Sequence, residues 1–177
     1  MLNKKLMKSA LIAFSCMILA LPANTYAAGN NANQTISKTA AAKTDSEMSR
    51  TARALGGIYN AKTNTITLKS NKKLSKDVRI NNNRSLTLNM NGKKITGGSI
   101  TINNTSKAPV IIKGHGKIIN CQIFKWGSGK LTLDGDITYK HSSEDILLLR
   151  EGTTVIRNGN FYCTAKNKDI LWSDYLY

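Results

Sequence analysis

Leu86-Thr87-Leu88-Asn89-Met90-Asn91-Gly92-Lys93-Lys94-Ile95-Thr96-Gly97 decides the fold of this chain. Large apolar residues stand at 86, 88 and 90 with polar ones between, the alternation of a strand with one buried face. Asn91-Gly92 then supplies two residues that accept left-handed backbone angles at little cost, which marks a turn. Ile95 resumes the apolar series beyond it. The same order returns at Val110-Ile111-Ile112-Lys113-Gly114-His115-Gly116-Lys117-Ile118, at Leu131-Thr132-Leu133-Asp134-Gly135-Asp136-Ile137 and, with Arg157 interrupting, at Val155-Ile156-Arg157-Asn158-Gly159-Asn160-Phe161. Gly92, Gly114, Gly135 and Gly159 thus recur at intervals of 22, 21 and 24 residues, each with an apolar residue (Leu88, Val110, Leu131, Val155) four places ahead. A unit of roughly 20 to 25 residues built from such strands is the pattern of a solenoid winding one coil per repeat. An antiparallel sandwich also uses short strands and Asn-Gly turns, but it needs no common register over four successive units. The expected fold is all-β, a right-handed parallel β-helix in which Leu88, Val110 and Leu131 pile up inside.

The flanks divide the chain into three. Residues 1–27 read as a secretory signal peptide: Lys4, Lys5 and Lys8 precede an apolar run over 10–21 that is too short to span a bilayer, and Thr25-Tyr26-Ala27 places small residues at the −3 and −1 positions of a cut after Ala27. Export follows as the expectation, with no membrane segment in the mature form. Cys16 lies inside the apolar run rather than at its end, which argues against lipid attachment. Residues 28–55 shift to Ala, Asn, Thr, Ser and Lys, the composition of a flexible linker. Within it, residues 46–55 form a candidate short helix, stopped by Gly56-Gly57, that would cap the first coil. Residues 56–177 suffice for about five coils stacked at about 4.8 Å. The run Asp169-Ile170-Leu171-Trp172-Ser173-Asp174-Tyr175-Leu176-Tyr177 would close the last coil as a lid, unless the chain is the front part of a longer protein.

The repeated strand–glycine–strand units resemble bacterial secreted right-handed parallel β-helix proteins of the pectate-lyase-like superfamily over residues 65–163. That resemblance speaks for fold more than for activity, because the superfamily mixes polysaccharide lyases and hydrolases with adhesins and surface proteins that have no enzymatic function. It implies that an enzyme of this class would line a groove with acidic residues holding calcium and use Arg or Lys as a base. Calcium asks for six or more oxygens, several from carboxylates. Beyond Gly56 the chain has only eight acids, and its tight clusters are Asp134-Gly135-Asp136 and Glu144-Asp145. Asp134 and Asp136 flank a turn glycine, where short polar side chains cap turns. Gly114-His115-Gly116 matches a short polygalacturonase motif but precedes the acids it should follow, so His115 reads as an exposed turn residue. No catalytic residue, metal or cofactor is assigned.

Cysteines add little chemistry. Cys121 and Cys163 lie 42 residues apart, close to two coils and so about 9.6 Å, beyond an ordinary disulfide. They are expected as two core thiols. His115 and His141 do not fall at zinc-ligand spacing with them.

Charge is the strongest functional signal. The chain carries 26 Lys and Arg against 10 Asp and Glu, a formal net charge of +16. Many of the bases fall at outward positions of strands or in turns: Lys69, Lys72, Lys73, Lys76, Arg79, Arg84, Lys93, Lys94, Lys113 and Lys117. If coils stack in register, Lys93, Lys94, Lys113 and Lys117 form a longitudinal basic stripe, which would attract a polyanion. The competing reading is that such lysines merely keep the protein soluble and blunt sheet edges. Tyr59, Phe124, Trp126, Tyr139 and Tyr162 would stack on sugar rings if exposed. The functional expectation is a secreted, non-catalytic surface β-helix that binds an anionic polysaccharide or cell-wall polymer, or part of an adhesin. Its rival is a polysaccharide lyase or hydrolase, or a remnant of one. Nucleic acid is excluded by export and by the lack of a basic-aromatic motif.

Overall fold

The computed structural model describes residues 29–173. The leader expected over 1–27 and the end of the lid expected over 169–177 lie outside the described residues. Helix α1 (Gly29–Ala54) leads into β1 (Gly57–Asn60), and five coils of three strands follow. The first coil comprises β2 (Thr65–Leu68), β3 (Lys72–Lys73) and β4 (Asp77–Asn82), and the second β5 (Leu86–Asn89), β6 (Lys94–Thr96) and β7 (Ser99–Asn104). β8 (Val110–Lys113), β9 (Gly116–Ile119) and β10 (Gln122–Lys125) make the third, β11 (Leu131–Asp134), β12 (Ile137–His141) and β13 (Leu147–Leu149) the fourth, and β14 (Thr154–Ile156), β15 (Asn160–Cys163) and β16 (Leu171–Ser173) the fifth. Corresponding strands pair in parallel into three sheets: sheet A is β1-β2-β5-β8-β11-β14, sheet B is β3-β6-β9-β12-β15 and sheet C is β4-β7-β10-β13-β16. The chain is a parallel β-helix, as its alternation and repeat predict.

The register differs from the glycine alignment in two places: by two residues between the second and third coils, and by one between the fourth and fifth, where Val155 lies over Thr132 rather than Leu131. Leu88 lies over Ile112, and Val110 lies over Leu86; Ile112 in turn lies over Leu133, and Val110 over Leu131. The apolar positions do pile up inside, but Gly92 is not the equivalent of Gly114. The corner from sheet A to sheet B takes four residues in the second coil, 90–93, and two in the third, 114–115. Coil length along sheet A therefore runs 24 residues (86 to 110), 21 (110 to 131) and 23 (131 to 154). The glycines answer to local need instead. Asn91 and Gly92 both adopt left-handed angles, at φ 48° and 73°. A Cβ on Gly135 would meet the Gly114 carbonyl oxygen at 2.1 Å, so there the coils approach too closely for any side chain.

Inside, aliphatic columns run along the axis. Val78, Ile100, Ile123, Leu147 and Leu171 form one on sheet C, and Ile95, Ile118, Tyr139 and Phe161 another on sheet B, where the two rings stack with centroids 4.5 Å apart. Each fully buried aliphatic side chain contributes about 1.5–3 kcal/mol. One column holds a cation: Ile80, Ile102, Lys125 and Leu149 are register neighbours. Lys125 is fully buried, and its Nζ donates to the backbone carbonyls of Gly127 and Glu151. In earlier coils the buried, stacked Asn82 and Asn104 serve this corner, each donating its amide to a nearby carbonyl. Where the asparagine column gives way to Gly127, the lysine ammonium takes over the donation.

Four expectations need correction. The segment expected to be a flexible linker with a ten-residue helix is helical from Gly29, 26 residues in all. The composition lacks proline and includes the good helix former alanine, and Met48, Ala52 and Leu55, spaced four and three, bury one stripe on the first coil. The first strand is not parallel: β1 pairs antiparallel with β2 as a hairpin, which with α1 covers the open edge of sheet A. The expected lid contributes β16 instead, because Leu171 stacks in register on Leu147. Of the two thiols, Cys121 is buried and Cys163 only half-buried, both free; Cys163 lies in the fifth coil, which no described coil covers. Burial, with a smaller contribution from the Asp77 charge, pushes the Cys121 thiol up to about 12.

Candidate functional site

Outward side chains form columns of their own, and each sheet presents different chemistry. On sheet B one outward column runs Lys94, Lys117, Thr138, Asn160, and the next runs Lys73, Thr96, Ile119, Lys140, Tyr162. Lys73, Lys94, Lys117 and Lys140 are all exposed, neither column contains a carboxylate, and none of the four forms an ion pair among the described residues. Lys94 and Lys117 are direct register partners, about 4.8 Å apart along the axis. Like charges placed so are mutually destabilising.

The predicted stripe is thus only partly assembled. Lys94 and Lys117 come together. Lys93 is half-buried in the corner turn, and its carbonyl accepts the Lys117 backbone N–H at 3.1 Å. Lys113 ends β8 on sheet A, in register with Asn89 and Asp134, and so is separated from Lys117 by the corner. Lys72 points inward, in register with Ile95, although it was expected outside. Lys140 joins the face unforeseen. Its signal was the alternation Thr138-Tyr139-Lys140, which puts residue 140 on the side opposite the buried Tyr139.

On sheet A the outward column Asn89, Lys113, Asp134 mixes charges, and Arg157 reaches Asp134 at 3.4 Å. Asp136 accepts the Asn160 amide at 3.3 Å, so both acids of the 134–136 turn engage the following coil.

Sheet C carries a cleft of about 530 Å³, with Asp77 and Arg79 at one end and Phe124, Trp126 and Glu151 at the other. Asp77 accepts hydrogen bonds from Ser99 (3.0 Å), Thr101 (2.8 Å) and Arg79 (3.0 Å). The outward column Arg79, Thr101, Phe124, Leu148, Trp172 turns from polar to apolar along the axis. Of the aromatics that would stack on sugar rings if exposed, Trp126 is 45 % and Tyr162 53 % exposed, whereas Tyr139 is completely buried because it falls in an inward column. Tyr59 is half-buried at the capped end, where its hydroxyl donates to Asn64 and Asp45 while Arg84 pairs with Asp45.

No helix among the described residues is long and apolar enough to cross a membrane. The chain matches no family model, no curated protein and no solved structure, so any functional reading rests on these surfaces themselves.

Proposed function

We propose that this chain is an exported, non-catalytic β-helix that holds an anionic polysaccharide or cell-wall polymer on the outer face of sheet B. The observation that carries the reading is the set of Lys73, Lys94, Lys117 and Lys140 in two adjacent columns without a carboxylate among them. Stacked lysines lacking counter-charges repel one another, and a polymer with regularly spaced acidic groups would relieve that repulsion along the axis. The leader-like residues 1–27 and the basic composition agree with a role outside the cell.

The rival reading, a polysaccharide lyase or hydrolase, would place its carboxylates in the sheet C cleft. There Asp77 already accepts from Ser99, Thr101 and Arg79, which leaves Glu151 as the acid open to substrate. Release of unsaturated sugar products absorbing in the ultraviolet would establish that rival.

Binding of the chain to immobilised polygalacturonate or teichoic acid is expected to weaken steeply between about 50 and about 500 mM salt. Lys94→Glu with Lys117→Glu is expected to abolish most of it and to leave thermal stability intact. Retention undiminished by salt, or unaffected by the double substitution, would overturn the reading.

A further inference from the structure

The outer face of sheet C is chemically unlike sheet B. Asp77 and Arg79 neutralise each other at 3.0 Å, and the same outward column in the next coils offers Thr101, Phe124, Leu148 and Trp172 rather than cations. Phe124, Leu148 and Trp172 succeed one another in a single column, with Phe124 half-buried and Trp172 38 % exposed. Beside them Asn81 and Asn103 are stacked in register, and Trp126 follows in the next coil, its backbone N–H bonded to the Ile102 carbonyl. The Arg150 guanidinium lies 4.6 Å over the Trp126 ring. That contact fixes the indole's orientation while 45 % of the residue stays open.

A soluble protein gains nothing from holding Phe124, Trp126 and Trp172 against water on one face unless something covers them. Their companions indicate what. The amide side chains of Asn81 and Asn103 make no hydrogen bond among the described residues, so donors and acceptors for hydroxyl groups stand next to flat apolar rings. A cleft of about 530 Å³ has the size of a small-molecule site. An extended peptide would instead add to a sheet edge, where backbone groups are free. Pyranose rings have apolar C–H faces and a rim of hydroxyls, which matches both halves of this surface. Coils repeat at about 4.8 Å, close to the length that one residue adds to an extended glycan, so Phe124 and Trp172, two coils apart, meet alternate sugars.

We propose that the outer face of sheet C binds an extended, uncharged polysaccharide, with sugar rings stacked on Phe124 and Trp126 in the cleft and on Trp172 beyond it along the same column, and with hydroxyls held by Asn81 and Asn103. This site is distinct from sheet B in face, charge and ligand. Titration of the chain with cellohexaose, mannohexaose and chitohexaose, followed by tryptophan fluorescence and calorimetry, tests it. At least one hexasaccharide is expected to shift the emission and to bind equally well at about 50 and about 500 mM salt. Trp126→Ala is expected to weaken that binding about tenfold, the equivalent of one aromatic contact; Asn103→Ala should weaken it less, and Lys94→Glu with Lys117→Glu should leave it unchanged. Failure of all three sugars to bind, or binding that survives in a Trp126→Ala, Trp172→Ala variant with an unaltered melting curve, would overturn the proposal. Loss of binding in the lysine variant would assign the sugar to sheet B instead.

Discussion

His141 shows how a single position can couple the fold to pH. Its side chain is 5 % exposed, and Nδ1 accepts the backbone N–H groups of Glu144 at 2.8 Å and Ser143 at 3.3 Å. Burial lowers the imidazole pKa, and the nearby Glu144 and Asp145 charges oppose that shift. A protonated Nδ1 could accept neither bond. The unfolded chain takes up this proton near the ordinary value of about 6.5, whereas the folded chain resists it to lower pH. The histidine's contribution is therefore whole above that value and declines as pH falls through the window below it. Melting temperatures recorded from pH 7.5 to pH 5 should fall, and His141→Asn, whose amide oxygen can still accept, should flatten the curve. A slope identical in the two proteins would refute this. Lys125 could not be recognised from alternation alone. Its parity puts it inside, but the Gly127 and Glu151 carbonyls that accept from Nζ become its neighbours only when the coils stack.

Among the elements, α1 caps the stack although its extent was not legible in the sequence. Among the described side chains, Met48 and Ala52 of it, with Leu55 just past its end, enter the core cluster, and they cover the apolar end of the first coil, which would otherwise lie bare. A Leu55→Ala substitution should cost about 2–5 kcal/mol in urea unfolding, through lost burial and the cavity it leaves. Arg53→Ala, two residues away but exposed, should change stability by less than about 0.5 kcal/mol. Equal effects would mean that the helix does not act as a cap. The sequence disclosed a stop at Gly56-Gly57 and a short helix before it. The greater length of α1 was hidden, because a segment with few large apolar groups reads the same whether it is a linker or a solvated helix.

The whole molecule is a one-dimensional stack, and its two ends differ. α1 and β1 cover the first coil, while Ile156, Ile170 and Trp172 of the fifth are 43 %, 42 % and 38 % exposed. Neighbouring coils stabilise one another, so opening should be easiest in the fifth coil, which no described coil covers. Hydrogen exchange is expected to be slowest in β5, β8 and β11 and fastest in β14 to β16; uniform protection along the axis would contradict that gradient. Alternating apolar residues and recurrent Asn-Gly turns determined by themselves that the chain coils, about how many times, and which way most strand side chains face, because strand parity is a local property of the backbone; Lys72 and Val155, beside corners of varying length, are the exceptions. Which outward residues share a column was decided only by the tertiary structure. Corners of two, three and four residues shift the register between coils, so Lys94 meets Lys117 but Lys113 does not, and Phe124, Leu148 and Trp172 align although no repeat in the sequence connects them.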